Sequence, residues 1–135
     1  MEKLIRLMII LLFSTACYRA GPSWVVEPNQ YGRLDVRVTD KAALDALLQS
    51  KWAAMKAALR AGDTAKALSY FTKNAQAEFK KTFDNITIPY SQIDAYLGSI
   101  TWIQQFGVYV DYELQGGGSV IFQLEQDNEW RIRFF

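Results

Sequence analysis

Histidine is absent from this 135-residue chain, and cysteine occurs once. The first absence removes the commonest general base and the commonest zinc ligand, and a solitary cysteine builds neither a thiolate cluster nor an internal disulfide. No metal and no organic cofactor is implied, and no catalytic residue stands out. An excess of charge of one sign is missing too: 15 Lys and Arg stand against 14 Asp and Glu, a formal net charge of +1. Nucleic acid, which needs a clustered basic surface, is therefore not an expected partner. Proline is scarce, and no apolar run approaches the roughly 20 residues of a membrane-spanning helix. What is present is 50% hydrophobic and 14% aromatic residues, over a length that fits one small domain.

The start of the chain carries an address. Lys3 and Arg6 precede the unbroken apolar run from Leu7 to Phe13, and the small residues Ser14, Thr15 and Ala16 follow. That order is a secretory signal peptide over residues 1–16, which takes no part in the fold. Cys17 comes directly after it, and an odd cysteine in an exported chain calls for a partner or a modification. Phe13-Ser14-Thr15-Ala16-Cys17 resembles the lipobox of bacterial lipoproteins, with Ser14 where Leu is usual. The resemblance implies lipid attachment at Cys17 and a membrane held through that N-terminal lipid. Tyr18, rather than Asp, after the cysteine implies the outer membrane, with the domain facing the periplasm. The alternative is cleavage after Ser14-x-Ala16 by an ordinary signal peptidase, leaving Cys17 a free thiol. Without residues 1–16 the chain keeps 13 basic and 13 acidic side chains, so acyl chains rather than charge would hold it to a bilayer.

Residues 17–40 read as a lipidated tether. Gly21, Pro22, Pro28, Asn29 and Gly32 interrupt any period, Trp24, Val25 and Val26 are free to dock on the body, and Arg33 to Thr39 alternates as a short strand would. The folded domain spans 41–135. Thr39 or Asp40 is a good N-cap and Gly62 a good stop for a helix over 41–61, whose Leu44, Leu48, Trp52, Met55 and Leu59 form one apolar stripe. Its other side is rich in alanine, which either reflects helix propensity on a surface or allows a second helix or another subunit to approach closely. Asp63 or Thr64 caps a short helix with Leu68 and Phe71, and a third helix carries Ala75, Phe79 and Phe83. Ser91-x-x-Asp94 resembles a capping box opening a turn that ends at Gly98, which gives Asp94 a structural reading beside that of a catalytic acid.

From Ile100 onward the period changes to 2, the mark of a C-terminal antiparallel sheet of about four strands. Val108, Val110, Tyr112 and Leu114, then Val120, Phe122 and Leu124, then Trp130, Ile132 and Phe134 define its apolar face. Keeping these in line across strands requires odd-numbered loops, and Gly116-Gly117-Gly118 and Gln126-Asp127-Asn128 supply them. The same register sets Asp111 opposite Gln123, Gln123 opposite Arg131, and Ile121 opposite Arg133 on the other face. Tyr109, Ile121 and Phe135 add apolar content to that charge-balanced face, which makes it a candidate surface for a protein partner or a homodimer.

The fold class expected is α+β: N-terminal helices packed on a curved C-terminal antiparallel sheet, cone-like. Trp52-x-x-Met55-x-x-Ala58-Leu59-x-x-Gly62-Asp63, then Ala67-Leu68-x-Tyr70-Phe71, then Asp127-Asn128-x-Trp130-x-Ile132 resemble uncharacterised exported members of the nuclear-transport-factor-like superfamily, over about residues 41–135. The resemblance implies a cone enclosed between helices and sheet, with Trp52, Tyr70, Tyr112, Phe122 and Trp130 as candidate lining residues. Acid/base work needs at least two positioned groups, and the inward positions of the last three strands supply one polar tip, Tyr112. The expected function is thus a membrane-tethered, non-enzymatic accessory domain binding a protein or an apolar small molecule. The alternatives are a small hydrolase or isomerase using a carboxylate and tyrosines, such as Asp94 with Tyr112, and a structural domain that dimerises through its sheet.

Overall fold

The computed structural model describes residues 24–28, 34–38 and 40–135. Residues 1–16, read as a signal peptide, and Cys17 lie outside the described residues. Within the segment read as a tether, β1 (Trp24–Pro28) pairs antiparallel with β2 (Leu34–Val38), Val26 opposite Val36. The strand expected over 33–39 is therefore half of a hairpin, and Trp24 to Val26 belong to a strand of their own. β-branched side chains in both partners favour this extended pairing despite the turn-forming residues around them.

Asp40 has an extended backbone and its Oδ1 accepts the Ala43 N–H at 3.0 Å, which starts α1 (Lys41–Arg60). Gly62, at φ +71°, ends it: the Gly62 N–H donates to the Leu59 carbonyl and the Asp63 N–H to that of Ala58, both at 2.9 Å. This pair of bonds satisfies carbonyls that the helix end leaves open, and it needs a left-handed residue that glycine adopts without steric cost. The Asp63 carboxylate then accepts the Lys66 N–H, at 2.9 Å, to begin α2 (Thr64–Leu68), and Thr72 caps α3 (Lys73–Asp84). A 3-10 turn, Tyr90–Gln92, leads into the single-turn α4 (Ile93–Tyr96). No side-chain cap bond forms there, so Ser91 and Asp94 do not make the capping box that their spacing predicts.

Four strands follow, in chain order across one open antiparallel sheet: β3 (Ile100–Phe106), β4 (Tyr109–Leu114), β5 (Ser119–Leu124) and β6 (Trp130–Phe134). The architecture is α+β, helices first and sheet last. Leu44, Leu48, Met55 and Leu59 of α1 have no exposure and join one core with Val110, Tyr112, Val120, Phe122, Leu124, Trp130 and Ile132 of the sheet. Each such side chain contributes about 1.5–3 kcal/mol on burial, so the predicted helical stripe and these even-numbered positions of β4, β5 and β6 together form the hydrophobic centre.

The outer loops keep the predicted parity. Gln126-Asp127-Asn128 forms a three-residue turn, with Asn128 at φ +62° and the Asn128 N–H donating to the Glu125 carbonyl at 3.0 Å. In the glycine loop the Gly117 N–H donates to the Leu114 carbonyl at 3.0 Å, one residue earlier than expected. β4 and β5 are thus shifted by two residues: Asp111 faces Ile121, not Gln123. Because side chains alternate with period 2, the shift leaves each residue on its predicted face.

Two bulges escape the alternation. Between Trp102 and Gln104 one extra residue, Ile103, opposes Asp111, and between Ile132 and Phe134 the extra residue is Arg133. A bulge reverses the facing of everything beyond it. Phe134 is consequently 53% exposed, and Phe135, expected outside, stacks on Phe79 with ring centroids 4.8 Å apart and meets Trp52 edge-on at 5.4 Å. Phe135→Ala is expected to lower the urea midpoint clearly, by roughly 2 kcal/mol of stability for a partly buried ring, while Phe134→Ala leaves it within about 0.5 kcal/mol of wild type. The reverse order would remove the β6 bulge from the description.

The margins of the sheet differ. At β6 the Ile132 N–H donates to the Tyr70 carbonyl at 2.8 Å and the Ile132 carbonyl accepts the Thr72 N–H at 2.9 Å, so the segment after α2 lies along this strand as a one-residue parallel bridge. At β3 the Ile103 bulge breaks the regular row of backbone groups, and Gln49 Nε2 donates to the Ile100 carbonyl at 2.9 Å.

Candidate functional site

Both faces of the sheet were candidates for function. On the inner face, Trp52, Tyr112, Phe122 and Trp130 are no more than 2% exposed and pack as core, and Tyr70 is half-buried beside β6. The Tyr112 ring meets Phe122 edge-on at 5.7 Å and Trp102 edge-on at 5.5 Å. Such contacts add to simple burial because ring edges meet ring faces. The Trp130 Nε1 donor is buried without a hydrogen-bond partner.

The Tyr112 hydroxyl donates to Asp45 Oδ1 at 2.8 Å. Burial, and then the adjacent Asp45 carboxylate, push the tyrosine well above its ordinary titration range, so it remains a neutral donor. Gln49 Nε2 reaches the same Asp45 oxygen at 3.4 Å. Sequence reasoning missed Asp45. Its only signal was placement: Asp45 and Gln49 stand four apart on α1, each next to a leucine of the buried stripe, so both flank the helix–sheet seam.

Asp94 is not brought to Tyr112. Its carboxylate binds Lys56 at 3.1 Å and Arg60, and these contacts, the lysine hydrogen bond foremost, lower its pKa. Trp52 Nε1 and Lys56 Nζ also donate to the Gly98 carbonyl, at 2.9 and 3.3 Å. Asp94 therefore fastens α4 to α1, and the Gly98 carbonyl does the same for the segment that leads into β3. Among the described residues no group of three or more His, Cys, Asp or Glu is arranged to hold a metal, and no helix is long and apolar enough to cross a membrane.

The outer face is different in kind. Register places Phe106, Tyr109, Gln123 and Arg131 in one row across the four strands, Gln104, Asp111, Ile121 and Phe134 in the next, and Thr101, Glu113 and Ser119 in the third. Ile103 and Phe106 are each 51% exposed, close to the value for Phe134. The rings of Phe106 and Tyr109 lie 5.6 Å apart. Arg133 spreads over Tyr109, 5.4 Å above its ring, and donates to the Tyr109 hydroxyl and to Gln123 Oε1, both at 3.1 Å. Among these groups Asp111 Oδ1 is hidden from solvent and has no hydrogen-bond partner. A carboxylate oxygen so placed lacks both water and a donor, a costly arrangement in a lone domain.

Arg131 closes one end of this face. It donates to Glu125 at 2.6 Å and grips Asp127 with both guanidinium nitrogens, at 2.8 and 2.7 Å. The arginine hydrogen bond, with help from the Glu129 N–H, holds the Asp127 carboxyl down at about 2. A carboxylate whose folded pKa is depressed stabilises the fold above its unfolded pKa of about 4 and loses that contribution as pH falls toward 2. Wild type is therefore expected to have a higher urea midpoint than Asp127→Asn at pH 6, with the gap closing between pH 4 and pH 2. A gap constant over that interval would contradict the pairing.

No family model, curated protein or solved structure matches the chain.

Proposed function

We propose that the protein is a non-enzymatic accessory domain, anchored to the bacterial outer membrane by lipid on Cys17 and facing the periplasm, that works by binding a protein on the outer face of its sheet. The anchor rests on the run from Lys3 to Cys17 and its resemblance to a lipobox. Helices that precede an antiparallel sheet accord with the resemblance to exported nuclear-transport-factor-like domains. The observation that carries the binding reading is that Ile103, Phe106 and Phe134 on the outer side of the sheet are each about half exposed. Exposed apolar side chains interspersed with charged groups such as Glu113 suit a protein surface, which covers the former and pairs with the latter.

A small apolar ligand on the inner face is the weaker reading, because the residues that would line its pocket pack against one another. Acid/base catalysis is weaker still: the Asp45 oxygen is engaged by Tyr112 and Gln49, and Asp94 by two cations.

In cells, a photo-reactive residue placed at Phe106 or Phe134 of the full chain should yield protein adducts, and one placed at the exposed Ala57 of α1 should not. Adducts from all three positions alike, or from none, would overturn the binding face. The anchor is tested separately by palmitate labelling, expected in wild type and lost in Cys17→Ser; equal labelling would remove it.

A further inference from the structure

We infer that the protein covering the outer face is a second copy of this chain, packed sheet to sheet about a two-fold axis that crosses the strands at Ile121. The inference rests on the outer face being the working surface, and it adds the identity of the occupant.

Three observations lead to it. The face is electrostatically divided along the strands. Asp111 and Glu113 lie in the middle and last rows of β4, and the Arg133 guanidinium lies at the opposite end, over Tyr109 and Gln123. Among the described residues none of these three charges joins an ion pair, in contrast to Arg131, Lys51, Lys56 and Arg60, which all do. The charges of this face that join no ion pair are thus Glu113 at one end, Asp111 in the middle and Arg133 at the other end. A two-fold rotation about an axis across the strands lays the basic end of each sheet over the acidic end of its partner.

The row geometry sharpens the fit. The Arg133 guanidinium lies over Tyr109 and Gln123 of the first row, so the rotation about the Ile121 row carries it to the partner copy's third row. That row holds Glu113, while Asp111, in the axis row, faces its own copy. The partner arginine thereby comes to a carboxylate that joins no ion pair among the described residues of the single chain. A charge-assisted bond there would be stronger than a neutral one.

The apolar residues are arranged to match. Ile121, at the axis, meets its own copy, and Phe134 in the same row is 53% exposed in the single chain and available to be covered. A two-fold interface is self-complementary by construction, and this face carries both the charge pattern and the central apolar residue that such an interface requires. Pairing along the strand margins is not offered in the same way, since β6 is occupied by Tyr70 to Thr72 and β3 is broken at Ile103.

The test uses the full chain with Ile121→Cys and a short thiol-to-thiol linker able to span the ~10 Å between stacked sheets. Wild type serves as the control for Cys17. A linked dimer is expected from Ile121→Cys and not from wild type. Adding Glu113→Arg or Arg133→Glu singly should reduce its yield at least tenfold, and adding both to the same chain should restore it. A linked dimer indifferent to the single reversals, or singles that the double fails to rescue, would overturn the charge pairing. Absence of any linked dimer would overturn the second copy. In that case, continued adducts from positions 106 and 134 with a different protein would leave the binding face standing, and their loss would remove that reading as well.

Discussion

Trp130→Ala should cost roughly 3–5 kcal/mol, enough to bring a domain of this size to the edge of unfolding at room temperature. Trp130 is 1% exposed at the start of β6, opposite Leu124, in the core between the sheet and α1. Removing the indole leaves a void that neighbours on two rigid elements cannot close, so a cavity cost adds to the lost transfer energy. With an m-value of about 1–3 kcal/mol/M in urea, the midpoint should fall by one to several molar units. Trp130→Phe separates volume from hydrogen bonding. The buried Nε1 has no partner, so its removal relieves a desolvated donor and offsets part of the lost volume. The phenylalanine variant should therefore lie much nearer wild type than the alanine variant. Equal losses would place Trp130 outside the packed interior.

Phe71→Ala should have a comparable effect, also roughly 3–5 kcal/mol, for a different reason. Phe71 has no exposure and its ring lies 4.5 Å from that of Phe79, 5.7 Å from Phe83 and 5.8 Å from Phe135. It joins α3 to Phe135 through one aromatic cluster. Its backbone also stands between Tyr70 and Thr72, whose carbonyl and N–H bond to Ile132. Loss of the ring should loosen that backbone contact, so hydrogen exchange at the Ile132 and Thr72 amides is expected to accelerate along with the fall in urea midpoint. Unaltered exchange with full loss of stability would show that the two functions of this residue are independent.

Much of the fold was legible because it depends on local period and local chemistry. The Leu44 to Leu59 stripe, the caps at Asp40 and Asp63, the stop at Gly62 and the Asn128 turn each follow from a few neighbouring residues, and each is present. The inward set from Val110 to Ile132 was legible for the same reason. The misplacement of Phe134 and Phe135 has another origin: one bulged residue reverses a strand, and nothing in Trp130-Arg131-Ile132-Arg133-Phe134 marks where the extra residue falls. The two-residue shift of β4 on β5 was also hidden, since three consecutive glycines accept positive φ equally well and leave the turn free to settle one position earlier.

The candidate site was legible in part. Alternation placed Asp111, Glu113, Arg131 and Arg133 together on one face. Which of them are mutually satisfied depended on side-chain reach: Arg131 turned to Asp127 and Glu125, and Arg133 to Tyr109 and Gln123. The Asp45 contact with Tyr112 joins positions 67 residues apart, and no short-range pattern announces it.

The two margins of the sheet have a consequence for life at high density. Strand-by-strand polymerisation needs a straight ladder of open amides and carbonyls on at least one flank. Here one residue of main chain, Phe71, bridges to Ile132 on one flank and a bulge interrupts the other strand, so neither flank offers a long straight ladder to a neighbour.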